Sequence, residues 1–140
     1  LLQLKKSKFK IYLETNGTLA HEVRDLADSL DIVAMDIKIP SSTGEGFNVW
    51  QEHSDFLDAV SSKDVFIKAV ICGSTTEDDF VKMLKLLNAS GYCGVLVLQP
   101  NSLEDPDSLK DKLDSFGKIS QGYLIPACVI AQMHKIMGIR

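Results

Sequence analysis

The 140-residue sequence is short of most features that announce a function class. No apolar run approaches the ~20 residues of a membrane span, and the N-terminus lacks the apolar core of a signal peptide. The expected location is cytoplasmic, with no membrane partner. Lysine and arginine number 15 against 19 acidic residues, a net charge of -4, and they are scattered apart from Lys5, Lys6, Lys8 and Lys10. That excludes an extended footprint for nucleic acid or anionic lipid, and the short cluster reads as a solvated lead-in to a strand. Cysteine is scarce. Cys72, Cys93 and Cys128 are odd in number and widely spaced, which fits neither a disulfide framework nor a structural zinc site, so they are read as reduced packing residues. There is no GxGxxG and no Walker loop. The chain also opens on Leu1 rather than Met, which suggests a fragment or a processed product.

What is present is an ordinary globular composition, 45% hydrophobic and 24% charged. It is expected to form one domain over residues 1–140 that buries about two-thirds of its surface. Strand and helix signals alternate. Lys10 to Leu13 reads as a strand, and Leu19 to Leu30 as a helix with Leu19, Val23, Leu26, Ala27 and Leu30 inward and Thr18 as its cap. Ile32 to Lys38 is the second strand, followed by a Pro-, Ser- and Gly-rich loop, "IPSSTGEG". A helix from about Asn48 to Ser61 turns Val49, His53, Phe56, Leu57 and Val60 inward. Val65 to Ile71 is the third strand. Thr75 with Asp78 resembles a capping box that opens a helix through Phe80, Met83, Leu84 and Leu87. Val95 to Leu98, a helix opened by Asp105-Pro106 and running to Gly122, and a last strand at Ala127 to Ala131 complete the series. The alternation is the mark of βαβ units, so the fold class is α/β with a parallel sheet. Two architectures compete: a doubly wound sheet, complete at this length, or part of a (β/α) barrel, whose eight-stranded form needs roughly 250 residues.

Alternation along the strands separates two faces. Val33, Met35 and Ile37 face the helices, whereas Ala34, Asp36 and Lys38 share the other face, as do Tyr12 with Glu14 and Phe66 with Lys68 and Val70. Ionisable groups therefore recur on one sheet face of three neighbouring strands, mostly toward its C-terminal edge, where parallel α/β folds bind ligands. Buried unpaired they would cost several kcal/mol each, so they must pair, hold an ion or touch a ligand. Bland readings stand beside this: Asp36 and Lys38 as a surface ion pair worth ~0.5 kcal/mol, Glu14 as a helix cap, and Lys68 reaching past apolar neighbours to solvent.

The ordered series "LETNGT", "DIVAMDIKIPSS", "DVFIKAVI", "LVLQPNS" and "AQMHKIMGIR" resembles the radical S-adenosylmethionine enzymes, specifically the 7-carboxy-7-deazaguanine synthase and organic-radical-activating group, from Lys10 onward. The resemblance implies the C-terminal part of a partial (β/α)6 TIM-like barrel, strands three to six plus a C-terminal segment. Glu14, Thr15 and Asn16 match a Glu/Asp-Thr-Asn-Gly motif beside the aminoacyl end of S-adenosylmethionine. Asp36 and Lys38 match an Asp-x-Lys that holds the cofactor's carboxylate and contributes to a cation site, so Glu14 and Asp36 become possible ligands of a cation such as Mg2+. Lys68 falls where related enzymes carry a basic residue, and Gln99 falls near the adenine. Ser41 and Ser42 lie in a segment that approaches substrate. His134 and Lys135 match a terminal motif whose Pro and Thr are replaced by Ala131 and Met133, and His134 is assigned to the substrate.

One departure stands out. The family holds a [4Fe-4S] cluster on three close cysteines and grips the cofactor's amino group with a Gly-Gly-Glu motif, and neither is present in these 140 residues. The resemblance thus implies a chain inactive by itself. Its intact parent would be a lyase converting 6-carboxy-5,6,7,8-tetrahydropterin to 7-carboxy-7-deazaguanine, on the way to queuosine and other deazapurines, with a pterin as small-molecule partner. The alternatives are a glycyl-radical-enzyme activase and a non-catalytic α/β interaction module. Physics adds that the first strand would expose an unpaired edge, so a homo-oligomer joined through exposed barrel edges is expected.

Overall fold

Alternating burial along the strands decides the architecture. The computed structural model of the chain describes residues 3, 6–44 and 48–131. Five strands, β1 (Tyr12–Thr15), β2 (Ile32–Ile37), β3 (Asp64–Ile71), β4 (Leu96–Pro100) and β5 (Ala127–Val129), form one sheet in the order β1-β2-β3-β4-β5, and every neighbouring pair is parallel. Between them run α1 (Ala20–Leu26), a short 3-10 turn (Ala27–Ser29), α2 (Pro40–Thr43), α3 (Trp50–Ala59), α4 (Glu77–Ala89) and α5 (Pro106–Gly122). The sequential order has no point at which the winding reverses, which removes the doubly wound alternative. What stands among the described residues is an open, singly wound sheet of βα units.

Val33, Met35, Ile37, Ile67, Ala69, Ile71, Leu96 and Leu98 are almost wholly buried and join one core with Val23, Phe56, Leu57, Phe80, Met83, Leu84, Leu87, Leu109, Leu113 and Phe116 of the helices. Within it the Phe80 and Phe116 rings stack at 4.2 Å between centroids, tying α4 to α5. The opposite sheet face is only partly covered: Phe66, Lys68, Val70, Val97, Gln99 and Cys128 are half-buried, and Tyr12 and Glu14 are exposed. No helix among the described residues is long and apolar enough to cross a membrane.

Several expectations change. The first strand runs over Tyr12–Thr15 rather than Lys10 to Leu13; just ahead of it the Ile11 N–H donates to the Asp31 carboxylate at 2.8 Å, and the Ile11 carbonyl accepts from the N–H groups of Asp31 and Ile32. The helix expected to Leu30 stops at Leu26, and Leu19 and Leu26 face solvent instead of the core. Thr18 does not cap it; its hydroxyl donates to Asn16 Oδ1 at 2.8 Å. The cap of α4 is Thr76, whose hydroxyl accepts from the Asp79 N–H, and Thr75 turns inward. The segment read as a loop after β2 begins as α2, with Pro40 at its first turn, where its missing N–H costs nothing.

Candidate functional site

The C-terminal ends of β1, β2 and β3 bring the ionisable residues together. In the register Asp36 sits opposite Lys68, and Glu14 lies one same-face row below, opposite Ala34, which in turn faces Phe66. The Lys68 ammonium reaches back to Glu14 Oε1 at 2.5 Å, so this ion pair crosses β2 from β3 to β1. A crossing of that kind needs a small side chain beneath it, and the residue in Glu14's row on β2 is Ala34. Lys38 Nζ donates to Asp36 Oδ2 at 2.7 Å, with both side chains about one-third exposed. Asp36 Oδ1 is buried and accepts no hydrogen bond among the described residues. An acceptor left so costs roughly 1–3 kcal/mol.

The turn after β1 is tightly specified. Thr15 Oγ1 accepts from the Gly17 N–H at 3.1 Å, and Gly17 adopts φ +66°, a left-handed conformation that glycine takes without strain. A Cβ there would also run into the Met35 side chain. Behind the turn lies His53, fully buried on α3. The Lys38 N–H donates to His53 Nε2 at 2.9 Å, which leaves the ring proton on Nδ1, and Nδ1 donates to the Gly17 carbonyl at 3.0 Å. Burial lowers the His53 pKa from its ordinary 6.5, and the pull of the two backbone bonds and of Glu52 and Asp36 does not overcome it.

A second part of the rim is built from hydroxyls and carbonyls. Ser41 N–H donates to Asp79 Oδ2, Ser41 Oγ accepts from the Thr76 N–H at 2.9 Å, and Ser42 Oγ meets Thr75 Oγ1 at 2.6 Å. Thr75 Oγ1 also accepts from the Cys72 N–H at 2.8 Å. From α5, the Lys112 ammonium donates to the carbonyls of Cys72, Gly73 and Thr75, and Glu104 accepts from the Gly73 N–H at 2.9 Å. The loop joining β3 to α4 is therefore clasped from both sides. Neither the Lys112 clasp nor the His53 bridge was anticipated from sequence. The one available signal was a histidine set among apolar helix positions.

The expected site residues thus divide. Glu14, Asp36, Lys38 and Lys68 converge, with Thr15 and Asn16 forming the turn beside them. Gln99 is half-buried on β4 opposite Val70, two strands from Asp36. The Ser41 and Ser42 hydroxyls are engaged by neighbouring loop groups. His134 lies outside the described residues. Of the two carboxylates expected to hold a cation, Glu14 pairs with Lys68 and Asp36 with Lys38, and among the described residues no three His, Cys, Asp or Glu side chains gather to hold a metal. The cysteines do not fit an iron-sulfur cluster either, since Cys72 is buried behind the rim, Cys93 is exposed and Cys128 is half-buried on β5. Carboxylates and ammonium groups alternating at one rim do suit a ligand that carries both charges.

Comparison with known proteins finds a relative. The chain is 31% identical over 140 residues to the 7-carboxy-7-deazaguanine synthase of Geobacter sulfurreducens, an alignment covering 98% of this chain and 55% of that protein. The chain thus spans about half the length of its curated relative. That similarity supports a relationship to the organic-radical-activating group. No protein-family model matches the chain, and no solved structure matches it.

Proposed function

We propose that this chain supplies the S-adenosylmethionine-binding rim of a radical S-adenosylmethionine enzyme, and that the reaction served is formation of 7-carboxy-7-deazaguanine from 6-carboxy-5,6,7,8-tetrahydropterin. The observation that carries the reading is the convergence of Glu14, Asp36, Lys38 and Lys68, with Asp36 Oδ1 buried and unpartnered, on the ligand-binding edge of a parallel sheet. The relative's printed name supports the product.

The amino-acid end of S-adenosylmethionine is a zwitterion. Lys38 and Lys68 neutralise its carboxylate, and the partly exposed Asp36 carboxylate accepts from its ammonium group. Glu14 keeps Lys68 on the sheet face, and the Thr15–Gly17 turn sets the height of that carboxylate. Gln99 offers amide contacts to the base. The Ser41 and Ser42 hydroxyls hold the loop that borders the substrate instead of touching substrate directly. When bound, the cofactor supplies hydrogen-abstracting radical chemistry. The electron it needs would come from a cluster that these 140 residues cannot ligate, so none of the chain's own groups performs that step.

Calorimetric titration of the 140-residue chain with S-adenosylmethionine tests the reading. Saturable binding is expected, weakened about tenfold in Asp36→Asn, equivalent to ~1.4 kcal/mol. A wild-type chain without saturable binding sinks it.

A further inference from the structure

We infer that His53 is the positioning residue of the charged rim: as a neutral imidazole protonated at Nδ1, it holds the turn after β1 and the end of β2 in the arrangement that lets Glu14, Asp36 and Lys38 face one ligand. The inference deepens the S-adenosylmethionine reading and rests on it for the ligand's identity.

Three observations carry it. First, His53 comes from α3, 36 residues from Gly17 and 15 from Lys38, yet its two ring nitrogens engage a backbone group of each. The ring is the only side chain among the described residues that hydrogen-bonds both segments. Second, both partners sit where the sheet can no longer hold them. β1 ends at Thr15 and β2 at Ile37, so the Gly17 carbonyl and the Lys38 N–H lie beyond the ladder. Two parallel strands fix their own spacing, but the segments that leave them need another tie, and His53 provides it. Third, the ring is 0% exposed, so water cannot replace either bond, and one edge is fixed by Trp50 at 6.5 Å between centroids.

The protonation state follows from the partners. Lys38 N–H can donate only to an unprotonated Nε2, and the Gly17 carbonyl only accepts, so the pair selects one neutral tautomer. The charged groups around the ring are Glu52 on its own helix and Asp36 with Lys38 at the end of β2. The carboxylates favour a proton, but a proton on Nε2 would break the Lys38 bond and leave a cation buried against apolar neighbours. Loss of the ring would free the Gly17 turn to shift against Met35 and tilt the Asp36–Lys38 pair, even though both His53 hydrogen bonds go to backbone groups. Functional groups are commonly held this way, their orientation fixed by hydrogen bonds from behind.

The test uses the 140-residue chain with His53→Leu, which fills the space but makes neither bond, and His53→Gln, whose amide can donate at one end and accept at the other. Nitrogen NMR of the imidazole is expected to show the Nδ1-protonated neutral tautomer at neutral pH. Exchange of the Lys38 amide is expected to quicken about tenfold or more in His53→Leu and to return toward wild type in His53→Gln, in line with ~1.4 kcal/mol for one bond. S-adenosylmethionine affinity, by calorimetry, should fall about tenfold in His53→Leu and recover to within ~3-fold in His53→Gln. A general packing role would instead lower the melting temperature of both variants and leave their affinities alike. Equal exchange and equal affinity in the two variants overturn the inference while leaving the cofactor reading intact. If the wild-type chain binds no S-adenosylmethionine, the cofactor reading falls. His53 is then judged on Lys38 exchange alone, where an unchanged rate in His53→Leu overturns it.

Discussion

Two stretches of the same rim are made of similar polar residues and end in opposite states. In the stretch around Ser41, Ser42, Thr75 and Lys112, hydroxyls, amides and the ammonium group are consumed by partners inside the chain. In the stretch around Glu14, Asp36, Lys38 and Lys68, opposite charges pair on a half-open sheet face and one carboxylate oxygen is left without a donor. Saturated polar groups hold a loop in place. Groups with capacity to spare can exchange partners with a ligand, so under the proposed function the second stretch binds and the first supports it.

That contrast can be broken by substitution. Lys112→Met removes an ammonium group shared by three carbonyls and should lower stability by about 2 kcal/mol in urea unfolding, with S-adenosylmethionine affinity hardly changed. Asp36→Asn should do the reverse, costing about 1.4 kcal/mol in binding with less than ~0.5 kcal/mol in stability. Similar losses of both quantities in both variants would erase the distinction. Thr75→Val strands the Cys72 N–H and should cost about 1 kcal/mol by thermal unfolding, again without moving affinity.

Acidification sharpens the contrast further. The His53 pKa is depressed in the fold, so the unfolded state takes up the proton first. Its contribution to stability is complete above 6.5, the unfolded value, and is lost as pH falls below that toward the folded one. Wild type should therefore lose stability over that range relative to His53→Gln, and parallel pH profiles of the two would contradict it. Smallest of all is Lys68→Met. It removes a pair in which Glu14 is 63% exposed, so stability should fall by no more than ~0.5 kcal/mol in denaturant titration.

How far these features could be read from sequence depends on how local their causes are. Alternation in Ile32 to Lys38 and in Val65 to Ile71 separated the helix-facing residues from the charged ones, because the side-chain period of a strand is a backbone property. The inward set on α3, including His53, was readable from helical spacing for the same reason. α1 was not: Leu19 and Leu26 have the right spacing but lie on a short helix that ends before a full inward face forms. Thr75 and Thr76 are adjacent and chemically alike, but the Cys72 N–H and the Ser42 hydroxyl hold Thr75 inward while Thr76 caps α4. What His53 and Lys112 hold is set by backbone groups distant in the chain, whose positions no residue pattern encodes.

The Lys112 clasp also bears on the order in which the chain acquires its structure. It joins groups 37 to 40 residues apart, and closing so long a loop costs entropy that must be spent before the contact returns anything. The β3–α4 connection is then among the later parts to settle, waiting on the docking of α5. During synthesis, a chain halted before residue 112 would have four of the five strands in hand and a slack connection at the C-terminal edge of the sheet.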